Sequence, residues 1–306
     1  MYKKTILVTG ATGFIGLHLV PALLRNGYSV RAVTRGEQVL PGSEVIKVVD
    51  LVNIDWLNLL QGVDAVIHLA GVAHTRKVDP ILLKRFNTDI SVSLAQALGP
   101  TQKLIYFSSI RAQVGAWSPH EVLDDATPYP EDAYGRSKLD AECLLSAIRP
   151  DACILRPVSV YGPGCKLNLK VLERIGRSSL PVPFGAFTAK RSYISVENIL
   201  SAVLFSLAAD LCGTFIASDP DPLTLHDIVA FFRKGLGRRP MLFPVPPHLL
   251  IQFAKLVGVA DAVKLASSPL VARPDKLVRA GWKPAVSSQQ GVSNWSQKLP
   301  SHDSCN

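Results

Sequence analysis

Gly10-Ala11-Thr12-Gly13-Phe14-Ile15-Gly16 is the stretch that decides how this chain folds. Five strand-forming residues, Thr5-Ile6-Leu7-Val8-Thr9, lead into it, and residues 14–26 carry apolar side chains at helical spacing before Gly27 ends the run. A glycine-spaced turn between strand and helix lets the backbone approach a pyrophosphate. The helix N-terminus adds N–H groups and the positive end of its dipole. Gly10, Gly13 and Gly16, with Phe14 and Ile15 between them, are therefore the first candidate cofactor contacts. The spacing is Gly-x-x-Gly-x-x-Gly rather than Gly-x-Gly-x-x-Gly.

Downstream, apolar strands alternate with helical stretches. Strands are predicted at residues 29–34, 44–49, 65–69, 103–108 and 152–156, and helices at 54–61, 80–98 and 132–148. Strands apolar on both faces, separated by helices, predict an α/β fold with a doubly wound parallel (Rossmann) sheet. Beyond Pro157 the alternation breaks at Tyr161-Gly-Pro-Gly164 and Pro181-Val-Pro-Phe-Gly185. A helix is predicted at 193–208, a strand rejoining the sheet at 213–218, and helices at 226–234 and 247–257. The expected organisation is a dinucleotide-binding domain of residues 1–160 plus about 190–218. A smaller, discontinuous C-terminal substrate domain would comprise about 161–189 and 219–296, and 297–306 would be a polar tail.

Of the 306 residues, 48% are apolar and 19% charged, which suits a chain with a large core and excludes a disordered or fibrous one. The five cysteines are scattered with no Cys-x-x-Cys pair, so neither a disulfide framework nor a metal site is expected, and a reducing cytoplasm fits. No segment reaches the roughly 18 uninterrupted apolar residues of a membrane span. The opening Met1-Tyr-Lys-Lys has the charge of a signal peptide, but its apolar run enters the glycine turn and reads as a buried strand. The net charge of +9 suits an anionic ligand. Its basic residues read as dispersed over a solvated surface, so no nucleic acid partner is expected.

Cofactor choice is written at the end of the second strand, where an acid about 20 residues past the glycines would bind the ribose of NAD. Here the run ends Val33-Thr34-Arg35. It lacks the carboxylate that repels a 2′-phosphate and offers a cation to pair with one, which favours NADP(H) within an NAD(P)(H) site. Asp50 and Leu51 follow the third strand at the adenine edge, and Leu69, Ala70 and Gly71 end the fourth.

Tyr134 and Lys138 stand four apart in a helical segment and share a face. A phenol of pKa near 10 becomes a usable acid or base when an ammonium and a nicotinamide stabilise its phenolate. Tyr134 and Lys138 are therefore also candidate cofactor contacts, Lys138 at the nicotinamide ribose. Ser109, at the end of the fifth strand, is placed to bond a substrate carbonyl and share its proton with Tyr134. Asn87, in the long helix, is a candidate for holding backbone, water or substrate.

This set resembles the extended short-chain dehydrogenase/reductase family. Arg156-Pro157, Tyr161-Gly-Pro-Gly164, Arg191-Ser-Tyr-Ile-Ser-Val-Glu-Asn198 and Gly281-Trp-Lys-Pro284 extend the resemblance to about Trp295. Within that family the chain looks like the nucleotide-sugar branch of epimerases, dehydratases and reductases. The resemblance implies that Asn168 and Arg191, with Arg273 as a further candidate, contact the diphosphate of a UDP-linked substrate, and it admits a homodimer. The Thr-Asp-Glu of the dehydratases is replaced by Ser109-Ile-Arg, and the Val-Tyr-Gly that epimerases show after this serine is absent there. The run looks most like reductases of UDP-4-keto-6-deoxy-N-acetylhexosamines that make UDP-N-acetylquinovosamine for bacterial surface polysaccharide. A UDP-hexose 4-epimerase that recycles NAD, and a nucleotide-sensing regulator without chemistry, are the rival expectations.

Overall fold

The computed structural model describes residues 3–72, 79–256 and 260–299. Its strands are β1 (Thr5–Thr9), β2 (Ser29–Thr34), β3 (Glu44–Lys47), β4 (Ala65–His68), β5 (Lys103–Phe107), β6 (Cys153–Pro157), β7 (Ser159–Tyr161), β8 (Tyr193–Ser195) and β9 (Gly213–Ala217). Seven of them form one parallel sheet in the order β3-β2-β1-β4-β5-β6-β9, and β7 pairs with β8 apart from it. The helices of the first half are α1 (Phe14–Arg25), α2 (Trp56–Leu59), α3 (Pro80–Leu83), α4 (Ile90–Ala97), α5 (Ile110–Gln113) and α6 (Ala133–Ile148). Those of the second half are α7 (Leu167–Arg177), α8 (Val196–Ala208), α9 (Leu225–Gly235), α10 (Pro247–Leu256), α11 (Ala260–Ala266), α12 (Asp275–Arg279) and α13 (Ser288–Gln297).

The central strands are buried on both faces, as their unbroken apolar runs require. On one side Ile6, Val8, Ile67 and Ile105 pack with Leu19, Val20 and Leu23 of α1 and Ile199, Ala202 and Val203 of α8. On the other, Leu7, Val66, Leu104 and Ile154 pack with Ile90 and Leu94 of α4 and Ala141 and Leu145 of α6. The register pairs Thr9 with His68 and His68 with Tyr106, so the carboxyl ends of β1, β4 and β5 lie side by side. Between β1 and β4 the chain changes its winding direction, and such a switch point is where open α/β sheets bind ligands.

A smaller core behind the sheet joins β7, α9 and α13 through Tyr161, Ile228, Phe232, Val292 and Trp295. The buried Asp219 ties it to α8: it accepts from Tyr161 Oη (2.7 Å), Asn198 Nδ2 (2.7 Å) and Ser195 N (3.0 Å). Burial pushes its carboxyl up to about 6 despite these donors.

Two elements differ from the sequence expectation. The helix expected at 80–98 is interrupted by a π-helical turn, Lys84–Asp89, between α3 and α4. Residues 193–195 are strand β8 rather than helix, held by pairing with β7, and α8 begins at Val196 behind the Ser195 cap. The last residue of the helix expected at 247–257, and 300–306 of the tail, lie outside the described residues.

Candidate active site

The turn after β1 is a cradle that side chains would fill. Gly10 sits at φ +69°, and a Cβ there would lie 2.8 Å from the amide nitrogen of Ala70; one on Gly16 would lie 2.5 Å from the carbonyl oxygens of Gly10 and Ala11. Helix α1 starts from Gly13 with no side chain bonding its first amides and no acid in its first turn. That leaves the N-terminal N–H groups and their dipole to an anion, which fits the pyrophosphate of a dinucleotide. Phe14 and Ile15 are half-buried beside the turn, as are Leu69 and Ala70 across it on the β4 side. Gly71 brings that loop against the Lys84–Asp89 turn and α6, since a Cβ on it would meet Asn87 Oδ1 at 2.9 Å and Lys138 Nζ at 3.3 Å.

Towards the adenine end, the buried Thr34 hydroxyl donates to the Gly36 carbonyl (3.0 Å), while Arg35 is exposed. Neither Thr34 nor Arg35 is a carboxylate; the next acid, Glu37, is exposed and paired with Lys47 of β3. Asp50 accepts from Asn53 N (2.9 Å) and Val52 N (2.8 Å); these bonds, with Arg85 nearby, hold its carboxyl below the usual range. Leu51 is half-buried beside it.

Ser109 and Tyr134 meet, and Lys138 lies one turn along the same helix. Ser109 caps α5, accepting from Arg111 N at 3.2 Å, and its side chain is hydrogen-bonded to that of Tyr134. Burial raises the phenol, and Ser109 and Arg111 pull it back towards its ordinary value. One turn along α6, the buried Lys138 donates to the Phe107 carbonyl (2.8 Å) and to Tyr106 Oη (3.3 Å). Its ammonium lies 4.8 Å from the centre of the Tyr106 ring. Burial lowers it to about 8, with Glu142 acting in the opposite sense.

The approach of α5 to α6 depends on Gly135. A Cβ there would lie 2.2 Å from the carbonyl oxygen of Arg111. Beneath the pair runs a buried chain of four side chains. Ser108 donates to Glu142, and Glu142 takes Arg156 through Nε (3.0 Å) and Nη2. Arg156 Nη1 reaches Gln113. The chain links the ends of β5 and β6 to α5 and α6.

Of the roles open to Asn87 from sequence, the structure shows the holding of backbone. It is fully buried in the π-turn, and its carboxamide accepts from Val72 N (2.8 Å) and donates to Val72 O (3.1 Å) and Ser137 Oγ (3.0 Å). It fixes the loop after β4 to α6. Arg273 is exposed, pairing with Asp275 (3.4 Å) and Glu121 (4.0 Å), and does not join the cluster. Asn168 lies on the exposed side of α7. Arg191 is half-buried, donating to the carbonyls of Ser268 (2.6 Å), Ala116 (3.0 Å) and Leu265 (3.2 Å) and bonding Tyr193. It lies close enough to Arg111 for the two cations to repel.

Arg111 was not singled out from sequence. It is ion-paired with Asp132 and close to both Tyr134 and Arg191, and its Nε is buried without a partner. The Ser-Ser-Ile-Arg run held the only signal for it. His68 lies within the strand expected at 65–69, and nothing in the sequence singles it out. Its ring is wholly buried, held by Thr9 Oγ1 at Nδ1 (2.7 Å) and stacked on Tyr106; burial, with Lys138 nearby, lowers it to about 3 and keeps it neutral. Among the described residues no cluster of His, Cys, Asp or Glu could hold a metal ion, and no helix is long and apolar enough to cross a membrane.

A glycine cradle at the switch point of a doubly wound parallel sheet defines a dinucleotide-binding fold. Residues 6–214 match the NAD dependent epimerase/dehydratase family, to which this chain belongs as an NAD-dependent enzyme. It is 32% identical to UDP-glucose 4-epimerase of Vibrio cholerae, over 96% of this chain and 95% of that protein. It is 27% identical to ceramide reductase of Caulobacter vibrioides, over 92% and 87%. In fold it is similar to UDP-glucuronic acid 4-epimerase of Bacillus cereus solved with NAD, with a TM-score of 0.75 at 22% identity over 96% and 94% of the two chains.

Proposed function

We propose that the enzyme transfers hydride at C4 of a UDP-linked hexose, reducing the 4-keto group of a UDP-4-keto-6-deoxy-N-acetylhexosamine to UDP-N-acetylquinovosamine or a related sugar. The hydrogen bond between Ser109 and Tyr134, with Lys138 one turn on, carries the chemistry. The bound NAD(P)H supplies the hydride. Tyr134 gives its phenolic proton to the oxygen at C4, Ser109 holds that oxygen, and Lys138 stabilises the phenolate left behind. Burial keeps Tyr134 protonated, the form a reductase requires at the start of its cycle. At the nucleotide end, Arg191 serves the diphosphate, and residues 161–189 and 219–296 supply the substrate side.

The end of β2 tips the reading towards a consumed cofactor. With no acid beside Thr34 and with Arg35 exposed, NADP(H) enters without repulsion. A second reading, UDP-hexose 4-epimerase with recycled NAD, draws on the name of the Vibrio cholerae relative. Incubation with UDP-linked 4-keto and hydroxy sugars while following cofactor absorbance separates the two. One reduced cofactor consumed per sugar supports the reductase; interconversion of UDP-hexoses with no net cofactor change supports the epimerase. Tyr134→Phe should lower turnover about 10²–10⁴-fold with cofactor affinity retained. Full activity in that variant would move the proton to another residue.

A further inference from the structure

Helix α10 carries apolar side chains on the side it turns to solvent. Leu249, Phe253 and Leu256 stand at i, i+4 and i+7, one stripe of a helix, and are 40%, 68% and 83% exposed. In α10 only Ala254 is buried, and in α11 no residue is. The segment leading into α10 adds Met241 and Phe243, both exposed. A stripe of this kind on a monomer marks a surface that meets an apolar phase.

The charge around it is one-sided. Residues 231–266 hold six Lys and Arg against the single acid Asp261, a net +5 of the chain's +9. Lys234, Arg238, Arg239, Lys255 and Lys264 are all exposed, and α10 itself contains no acid. Along the sequence, the basic charge first read as dispersed gathers in the segments that lead into and form α10 and α11, with exposed Lys255 on α10 and Lys264 on α11. Phenylalanine and leucine along one helix face with lysine and arginine around it is the pattern of a helix lying in the headgroup region of an anionic bilayer. Arg233 is buried among backbone carbonyls, which leaves five exposed cations against the exposed Asp261, so a second copy of the chain would bring +4 against +4, which disfavours that occupant.

We propose that α10 and the segment before it dock this enzyme on an anionic lipid surface, with Phe253 and Leu256 entering the acyl boundary and the flanking cations meeting the lipid headgroups. Arg191, whose guanidinium is held by carbonyls at the end of α11 and just beyond, would then lie close to the docked face.

The test is co-sedimentation of the full chain with phosphatidylcholine vesicles, with and without phosphatidylglycerol, at low and high salt. The wild type should pellet with the anionic vesicles, be released by salt, and stay in solution with the neutral ones. Phe253→Ser with Leu256→Ser should lower partitioning at least about tenfold, which is about 1.4 kcal/mol, and Arg238→Gln with Arg239→Gln should do the same. Hydrogen exchange on the unmodified protein gives an independent reading: anionic vesicles should protect residues 247–256. Wild type left in solution with anionic vesicles at low salt overturns the proposal. So does binding indifferent to the Phe253/Leu256 change, or exchange at 247–256 unaltered by lipid. A dimer in sedimentation velocity that the same change splits, without lipid binding, would assign the stripe to a second copy instead.

Discussion

Gly135→Ala is the sharpest perturbation of the catalytic geometry, because it adds one methyl group and no charge. The new Cβ would lie 2.2 Å from the carbonyl oxygen of Arg111 and 3.0 Å from Pro130 Cβ. Relief to ordinary contact requires about 1 Å of separation between α5 and α6. Ser109 and Arg111 ride on α5 and Tyr134 on α6, so the Ser109–Tyr134 bond takes up that displacement. A misplacement of about 1 Å costs on the order of 10²-fold in rate, whereas overpacking at one site costs about 1–3 kcal/mol of stability, too little to unfold a typical domain. Turnover should therefore fall about a hundredfold, while NAD(P)H affinity, measured by quenching of protein fluorescence, changes little because the Gly10–Gly16 cradle is distant in sequence and on other elements. A melting curve checks that the fold survives. Wild-type turnover in a stably folded Gly135→Ala protein would refute the claim that close approach of α5 sets the Ser109–Tyr134 geometry.

Three further outcomes are expected. NADPH should bind more tightly than NADH, and Arg35→Ala should remove the difference; a tenfold preference of wild type for NADH, about 1.4 kcal/mol, would contradict the reading of Thr34-Arg35. Arg191→Ala should weaken UDP as a competitive inhibitor and raise KM roughly 10- to 150-fold, for a loss of about 1.5–3 kcal/mol in charge-assisted bonding; it should also lower the melting temperature, since three carbonyls lose their donor. Lys138 loses its proton as pH rises through about 8, so kcat/KM should fall on that limb, and Glu142→Gln should move the limb to lower pH by removing the charge that favours the ammonium. In stability the sign is opposite: between about 8 and 10.5 the unfolded chain holds the proton that folded Lys138 has lost, so this group adds stability as pH rises through that window.

The strands around the switch point were legible because each is an apolar run buried on two faces, and Tyr134 and Lys138 because four-residue spacing fixes a shared helix face. What escaped the sequence depends on contacts between distant segments. Residues 193–195 read as the start of a helix, since Tyr-Ile-Ser-Val-Glu-Asn has helical apolar spacing, yet three pairs with β7 hold them extended. Glu142 and Arg156 meet only because α6 crosses the ends of β5 and β6, and nothing in their fourteen-residue separation announces a pair. Arg111 gains its place beside Tyr134 through the missing side chain of Gly135. Asn87 was picked out from sequence, but its carboxamide is turned into the protein by the π-turn, which no periodicity predicts.

That six-residue turn sets a phase. A π-turn holds one residue more than an α-helical turn, so Pro80–Leu83 is rotated about 100° around the axis relative to where an unbroken helix would carry it. Deleting one codon between Lys84 and Asp89 would let an ordinary helix close there, leaving α4 packed on the sheet and turning the four residues of α3 to a new heading. The headings of α3 and α4 are in this sense set separately: one residue of chain length decides where Pro80–Leu83 points, while Ile90 and Leu94 of α4 are placed by the sheet they pack on.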